Sequence, residues 1–266
     1  IHEAFVLAEY LSPHNHFHRW LRNVTRLAYA LDRFATVDIK QIATEMKNMS
    51  NEAYQEVKNS IETLDEALRD GYLDILSTYR DRVDWMLKLH NSMQRLAKLE
   101  SSGSSPTPRV DEYIHWITTN EEAARLVPAY FLTQAVIRNF RKDASLVIVL
   151  CYRALEAALQ VEFLLRKKQN LWDFNFMKET YPDIVTGNGV TMRELEQLVI
   201  PSEGERNRFD EHARKLREMR NHGMLAHGYQ DYETRNTQDL ISKSAKIIAD
   251  LCFRRRIQTL TTAMAR

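Results

Sequence analysis

The sequence predicts an all-α fold, a helical bundle region followed by a second helical domain, and three observations carry that expectation. Gly (7) and Pro (6) are scarce in a chain of 266 residues. Leu, Ala, Glu, Lys and Arg are abundant, and these side chains give up little rotamer freedom in a helix. Apolar residues recur at helical spacing over long stretches without a breaker.

The elements follow in order. "LSPHNHFHRWLRNVTRLAYALDRF" opens with Ser12 as N-cap and Pro13 at the first helical position. "SNEAYQEVKNSIETLDEALRDG" is predicted as one helix, capped by Ser50 or Asn51 and closed by Gly71. "YLDILSTYRDRVDWMLKLHNSMQRLAKLE" keeps Leu76, Val83, Leu87 and Met93 at roughly helical spacing. "SSGSSPTP", residues 101 to 108, is the one low-complexity run, and its Ser, Gly and Pro content sets a boundary between a bundle over 1–105 and a domain over 111–266.

Beyond it, "NEEAARLVPAYFLTQAVIRNFRK" is a helix in which Pro128 removes a donor and is expected to kink the axis. "DASLVIVLCYRALEAALQVEFLLRKK" is apolar nearly all round from Ala144 to Leu159, the pattern of a buried helix. The segment from Trp172 to Val190 is less regular and turns at "TGNG", after which Thr191 and Glu194 have capping-box spacing. Two helices, roughly Arg206–His227 and Asn236–Ala265, close the chain.

The formal net charge is +1, so no global field points to a polyanion and a nucleic-acid site must be local. Cys151 and Cys252 sit in apolar stretches, too few for a disulfide scaffold, which fits a reducing, cytoplasmic setting. No apolar run is expected to reach the roughly 18 to 20 residues of a membrane span, and the start has no signal-peptide pattern, so a soluble protein with no membrane partner is expected. No strand–helix alternation and no glycine-rich phosphate loop is present, which leaves out a Rossmann nucleotide-binding domain.

The chemistry concentrates in "RNHGMLAHG", Arg220 to Gly228. Phe209, Ala213, Leu216, Arg220, Gly223 and His227 are spaced four, three, four, three and four, which places them on one helical stripe. Its first half is a core seam and its second half is polar. Gly223 within a helix costs about 0.5 to 1 kcal/mol against Ala, tolerable where a backbone or substrate must approach, and Gly228 fits a C-cap. Two readings of these residues stand side by side. Arg and His near a helix C-terminus meet the dipole favourably and need do no more; equally, the stripe can be a chemical face, with Asn221 either solvated or a positioning amide. The five-residue gap between His222 and His227 does not suit two metal ligands one turn apart.

These residues resemble the signature of HEPN ribonucleases, an Arg followed by a polar residue and, after four to six intervening residues, a His. The Arg-Asn…Leu-Ala-His-Gly form is similar to that of the CARF-HEPN ribonucleases of type III CRISPR systems. "RNFRKDASLVIVLCYRALEAALQ" resembles the family helix in which an Asp-Ala pair leads into Tyr-Arg-Ala-Leu-Glu, here Asp143, Ala144 and Tyr152 to Glu156. "LAYALDRFATVDIKQIA" resembles the Leu-Asp-Arg-Phe segment preceding the HEPN domain. His222 departs from the pattern, standing where Ser or Thr is expected.

The resemblance implies a HEPN domain over 111–266 acting as a metal-independent endoribonuclease on single-stranded RNA in antiviral defence, with no cofactor. It implies a homodimer whose two Arg and His sets line one cleft, and activation by cyclic oligoadenylate bound to a CARF domain. Nothing in this chain could be that sensor, so the chain is a fragment or the sensor a separate polypeptide. Arg220, Asn221 and His227 are the implied catalytic set: a His with a pKa near 6.5 suits proton transfer, and an Arg suits a phosphorane. Arg217 and His222, with Arg254 and Arg255 of the "FRRR" run, are candidate RNA contacts, the alternative for the Arg run being a solvated helix end. Tyr152, Arg153, Glu156 and Gly223 are candidate supports, Arg153 and Glu156 as an i, i+3 pair. An RNA-binding or dimerisation module of weak activity and a toxin-type HEPN ribonuclease are the alternatives. "HNHFH", His14 to His18, lacks the neighbours of a metal site.

Overall fold

The computed structural model describes residues 16–32, 36–59, 66–103, 109–222 and 236–264, and among these are ten helices and no strand. They are α1 His16–Asp32, α2 Thr36–Asn59, α3 Glu66–Ser102, α4 Arg109–Thr119, α5 Glu121–Phe140, α6 Ala144–Lys167, α7 Phe174–Thr180, α8 Met192–Val199, α9 Glu203–His222 and α10 Thr237–Met264. The all-α expectation holds. The chain divides into two compact units, residues 1–91 and 92–266. That division falls within α3, ahead of the low-complexity run, whose Ser101 and Ser102 belong to the helix and whose Gly103 closes it with φ +51.

In the first unit α1 packs on α2. Trp20, Leu27 and Ala30 meet Ile39, Ile42, Ala43, Met46, Met49, Ala53 and Val57, and Leu76 and Val83 of α3 join the same cluster. The buried Asn23 pins the pair, donating from Nδ2 to Glu45 Oε2 at 3.5 Å while accepting from Arg26 Nη1 at 3.1 Å. Ser12 and Pro13 lie outside the described residues. Two predicted boundaries are corrected: α2 runs straight through Ser50 and Asn51, and Gly71 is inside α3. The buried series from Ile39 to Val57 continues across Ser50 without a break, and Ser50 Oγ bonds back to the Lys47 carbonyl at 3.0 Å, so burial of one long face outweighs a local capping signal.

The second unit is built around α6. Asp143 caps it, accepting from the Leu146 N–H at 3.1 Å, and Lys168 closes it in the left-handed conformation. Residues on every side of α6 are buried, and α4, α5, α8, α9 and α10 all pack on it. Contrary to the expectation that no run is long enough, α6 has the length and apolarity to cross a membrane, but 67% of its most apolar window is buried inside the fold. That apolarity is what a helix covered by five neighbours requires. Helix α5 continues through Pro128. The capping box at α8 forms as expected: Glu194 N–H donates to Thr191 Oγ1 at 3.3 Å, and the Thr191 N–H donates to Glu194 Oε2 at 2.7 Å.

An ion cluster inside this unit has no counterpart in the sequence reading. Glu162 of α6 is 2% exposed, accepting from Arg125 Nε at 2.8 Å and Arg166 Nε at 3.1 Å. Arg166 also donates to the Val199 and Leu251 carbonyls. One carboxylate and two guanidiniums thus tie α6 to α5, to the end of α8 and to α10. Cys252 lies beside this cluster; burial pushes its thiol up to about 12, with Glu162 adding to the rise. It behaves as the buried apolar side chain expected from sequence.

Glu196 of α8 gives a pH-dependent prediction. Burial pushes its carboxyl up to about 7, with Asp210 adding to the rise and Arg206 and Arg193 opposing it. A carboxyl whose pKa is higher folded than unfolded stabilises the fold below about pH 4.5, and that contribution is lost as pH rises through about 7. Glu196→Gln, neutral at every pH, is therefore expected to gain about 2 to 3 kcal/mol over the wild type at pH 8 and little at pH 5. Equal melting shifts at the two pH values would contradict this.

Candidate active site

Helix α9 begins at Glu203, three residues earlier than expected, with Glu203 and Glu205 where the helix dipole favours negative charge. Its seam is the predicted one: Phe209, Ala213 and Leu216 are all buried, Leu216 completely. Arg220 continues that line and emerges half-buried. Its guanidinium carbon lies 4.3 Å from the ring centroid of Tyr152 on α6, a contact that couples two residues far apart in sequence. Tyr152 is itself buried, 8% exposed, because α6 is enclosed along its length. Asn221 completes the arrangement: its Oδ1 accepts from Arg220 Nε at 3.2 Å and from Nη2 at 3.0 Å. Asn221 is itself exposed, so this contact leaves its side chain open to solvent.

One residue on from Tyr152, Arg153 Nη1 donates to Glu156 Oε2, and its guanidinium lies 6.0 Å from the Phe131 ring centroid of α5. The expected i, i+3 pair therefore forms, on the same helix as the ring that carries Arg220. Arg217 is exposed on α9, one turn before Arg220. Helix α10 carries Arg254 and Arg255 within its helical span, and His222 is the last described residue of α9. Gly223 and His227 lie outside the described residues.

The basic character of this stretch is largely consumed within the protein. Of the six Arg and Lys between 206 and 228, Arg206 donates to the Ile200 and Pro201 carbonyls, Arg208 to the Gly204 carbonyl, Arg214 to Glu218, and Arg220 to Asn221. Lys215 and Arg217 remain as exposed cations. A groove of about 490 Å³ runs between α9 and α10 and is lined by Phe209, His212, Lys215, Lys243 and Leu251 among others, but not by Arg220 or Tyr152. Its rim mixes Glu205, Glu211, Glu218 and Asp250 with the cations, so it carries no single-sign field for a polyanion.

Sequence reasoning missed the buried group that fixes α9 behind Arg220. His212, two turns before Arg220, shares a 2.9 Å hydrogen bond between Nε2 and Ser244 Oγ of α10, both side chains buried. Burial holds the imidazole below its usual range, reinforced by Lys243 and Lys215. Ser244 also bonds the Cys151 thiol of α6, which burial pushes up to about 11 despite that bond. The signal was present in part: His212, Leu216 and Arg220 fall at i, i+4 and i+8. Nothing in the sequence, however, names Ser244 as the partner of His212.

No family model, curated protein or solved structure matches this chain.

Proposed function

We propose that the second unit is a metal-independent endoribonuclease domain of HEPN type acting on single-stranded RNA, with Arg220, Asn221 and His227 as its reacting set. The observation that carries this reading is Arg220 itself. A guanidinium at the end of a core seam is held on a buried aromatic ring and by a neighbouring amide, yet remains partly exposed. An orientation so constrained suits a group that must meet charge developing in a transition state, where preorganised donors contribute most.

In this reading the RNA 2′-hydroxyl gives its proton to an imidazole and attacks the adjacent phosphorus. The 5′-oxygen leaves as it takes up a proton, and a 2′,3′-cyclic phosphate remains. Arg220 stabilises the phosphorane oxygens through charge-assisted hydrogen bonds. His227, six residues beyond Asn221, supplies proton transfer, a role that suits an imidazole. One imidazole does not readily serve as base and acid in one step, so two copies of the chain supply the pair in a two-fold dimer. The defence role and activation by cyclic oligoadenylate belong to the same proposal and rest on the family resemblance alone.

Cleavage of single-stranded RNA is expected to persist in excess EDTA and to leave 2′,3′-cyclic phosphate ends, in a protein that light scattering finds to be a dimer. Activity abolished by EDTA and restored by a divalent cation would overturn this reading, as would 3′-hydroxyl products.

A further inference from the structure

Arg220 is constrained by an aromatic ring and along one edge. The guanidinium carbon lies over the face of the Tyr152 ring, 4.3 Å from its centroid, and the single oxygen Asn221 Oδ1 takes the Nε–Nη2 edge at 3.2 and 3.0 Å. A guanidinium carries five N–H donors in one plane. With one edge engaged, the outer Nη2 hydrogen and the Nη1 hydrogen beside it form the end-on fork, the geometry that grips two oxygens of one phosphate. The ring beneath cannot swing away, because Tyr152 belongs to the helix that five others cover. An Arg side chain otherwise has many rotamers, set by the torsions that decide where the fork points.

From this geometry we propose that Tyr152 is the positioning residue for Arg220: its ring face holds the guanidinium so that the end-on fork is presented to a phosphodiester of the RNA strand. This rests on the ribonuclease reading of Arg220. The ring face makes the contact, so the phenol hydroxyl is dispensable and the aromatic ring is not.

Three variants test it, with RNA cleavage and the NMR position of the Arg220 Nε–H signal measured together. Tyr152→Phe is expected to keep cleavage within about twofold of the wild type and to keep the ring-current shift of that signal. Tyr152→Leu is expected to lose about tenfold in kcat with KM little changed, and to move the signal to the position of a solvated Arg; Tyr152→Met serves if the Leu variant does not fold. Arg220→Ala separates the two ideas. If it abolishes cleavage while Tyr152→Leu cleaves as wild type, the positioning role is overturned and the ribonuclease reading stands. If cleavage survives in Arg220→Ala, the reading of the site fails, and the proposal with it. An Arg220 Nε–H signal unshifted in the wild type overturns the proposal whatever the cleavage rates.

Discussion

Arg220→Ala and His227→Ala are each expected to lose at least about a hundredfold in RNA cleavage while the protein stays folded. In the proposed mechanism each change deletes a role in the transition state, and proton transfer and fixed hydrogen-bond donors each contribute factors of about 10² to 10³ or more. The stability side can be bounded for Arg220. Its removal forfeits the contact with the Tyr152 ring, about 0.5 to 1 kcal/mol at a partly exposed position. For a domain of this size such a loss lowers Tm by only about 2 to 4 °C. Asn221 keeps access to solvent and is not left buried without a partner. Cleavage and thermal melts on the same preparations decide the matter: lost cleavage with a small melting shift supports the active site, whereas a large melting shift with cleavage retained below the transition makes Arg220 a structural side chain.

Glu162→Ala gives the largest expected effect on stability, about 3 to 5 kcal/mol. The change removes the anion between Arg125 and Arg166 and leaves two partly buried guanidiniums facing each other. An intact buried ion cluster adds little net stability because desolvation offsets attraction, but removing one member uncovers the desolvation cost of the others. Glu162→Gln preserves the shape and still leaves the excess charge, so it too is expected to destabilise strongly. Arg125 retains Glu121, and Arg166 retains two backbone carbonyls, which limits how far either can turn to water. Denaturant melts in which Glu162→Gln matches the wild type within about 1 kcal/mol would show that water reaches the cluster.

Much of the architecture was legible because the information is local and periodic. The apolar run from Ala144 to Leu159 announced a buried helix, and that helix is the one on which the second unit is assembled. Thr191 and Glu194 announced their own cap, since four consecutive residues suffice to close both of its hydrogen bonds. Where two local signals competed, the reading went astray: Ser50, Asn51 and Gly71 favoured boundaries, while the apolar series through Met46, Met49, Ala53 and Val57 favoured continuity, and continuity prevailed. A cap contributes about 1 kcal/mol, less than the burial of several large side chains along one face.

For the candidate site the sequence determined the stripe itself: Phe209, Ala213, Leu216 and Arg220 must share a face if the segment is helical, because 3.6 residues per turn leave no alternative. It also supplied the Arg153–Glu156 pair, whose partners are one turn apart. Tertiary structure alone decided that Tyr152 would lie beneath Arg220, that Ser244 would meet both His212 and Cys151, and that Glu162 would collect Arg125 and Arg166. Those contacts join side chains on different helices. They are set by which helices cross and at what height, a consequence of packing over the whole unit that the spacing within any one segment does not encode.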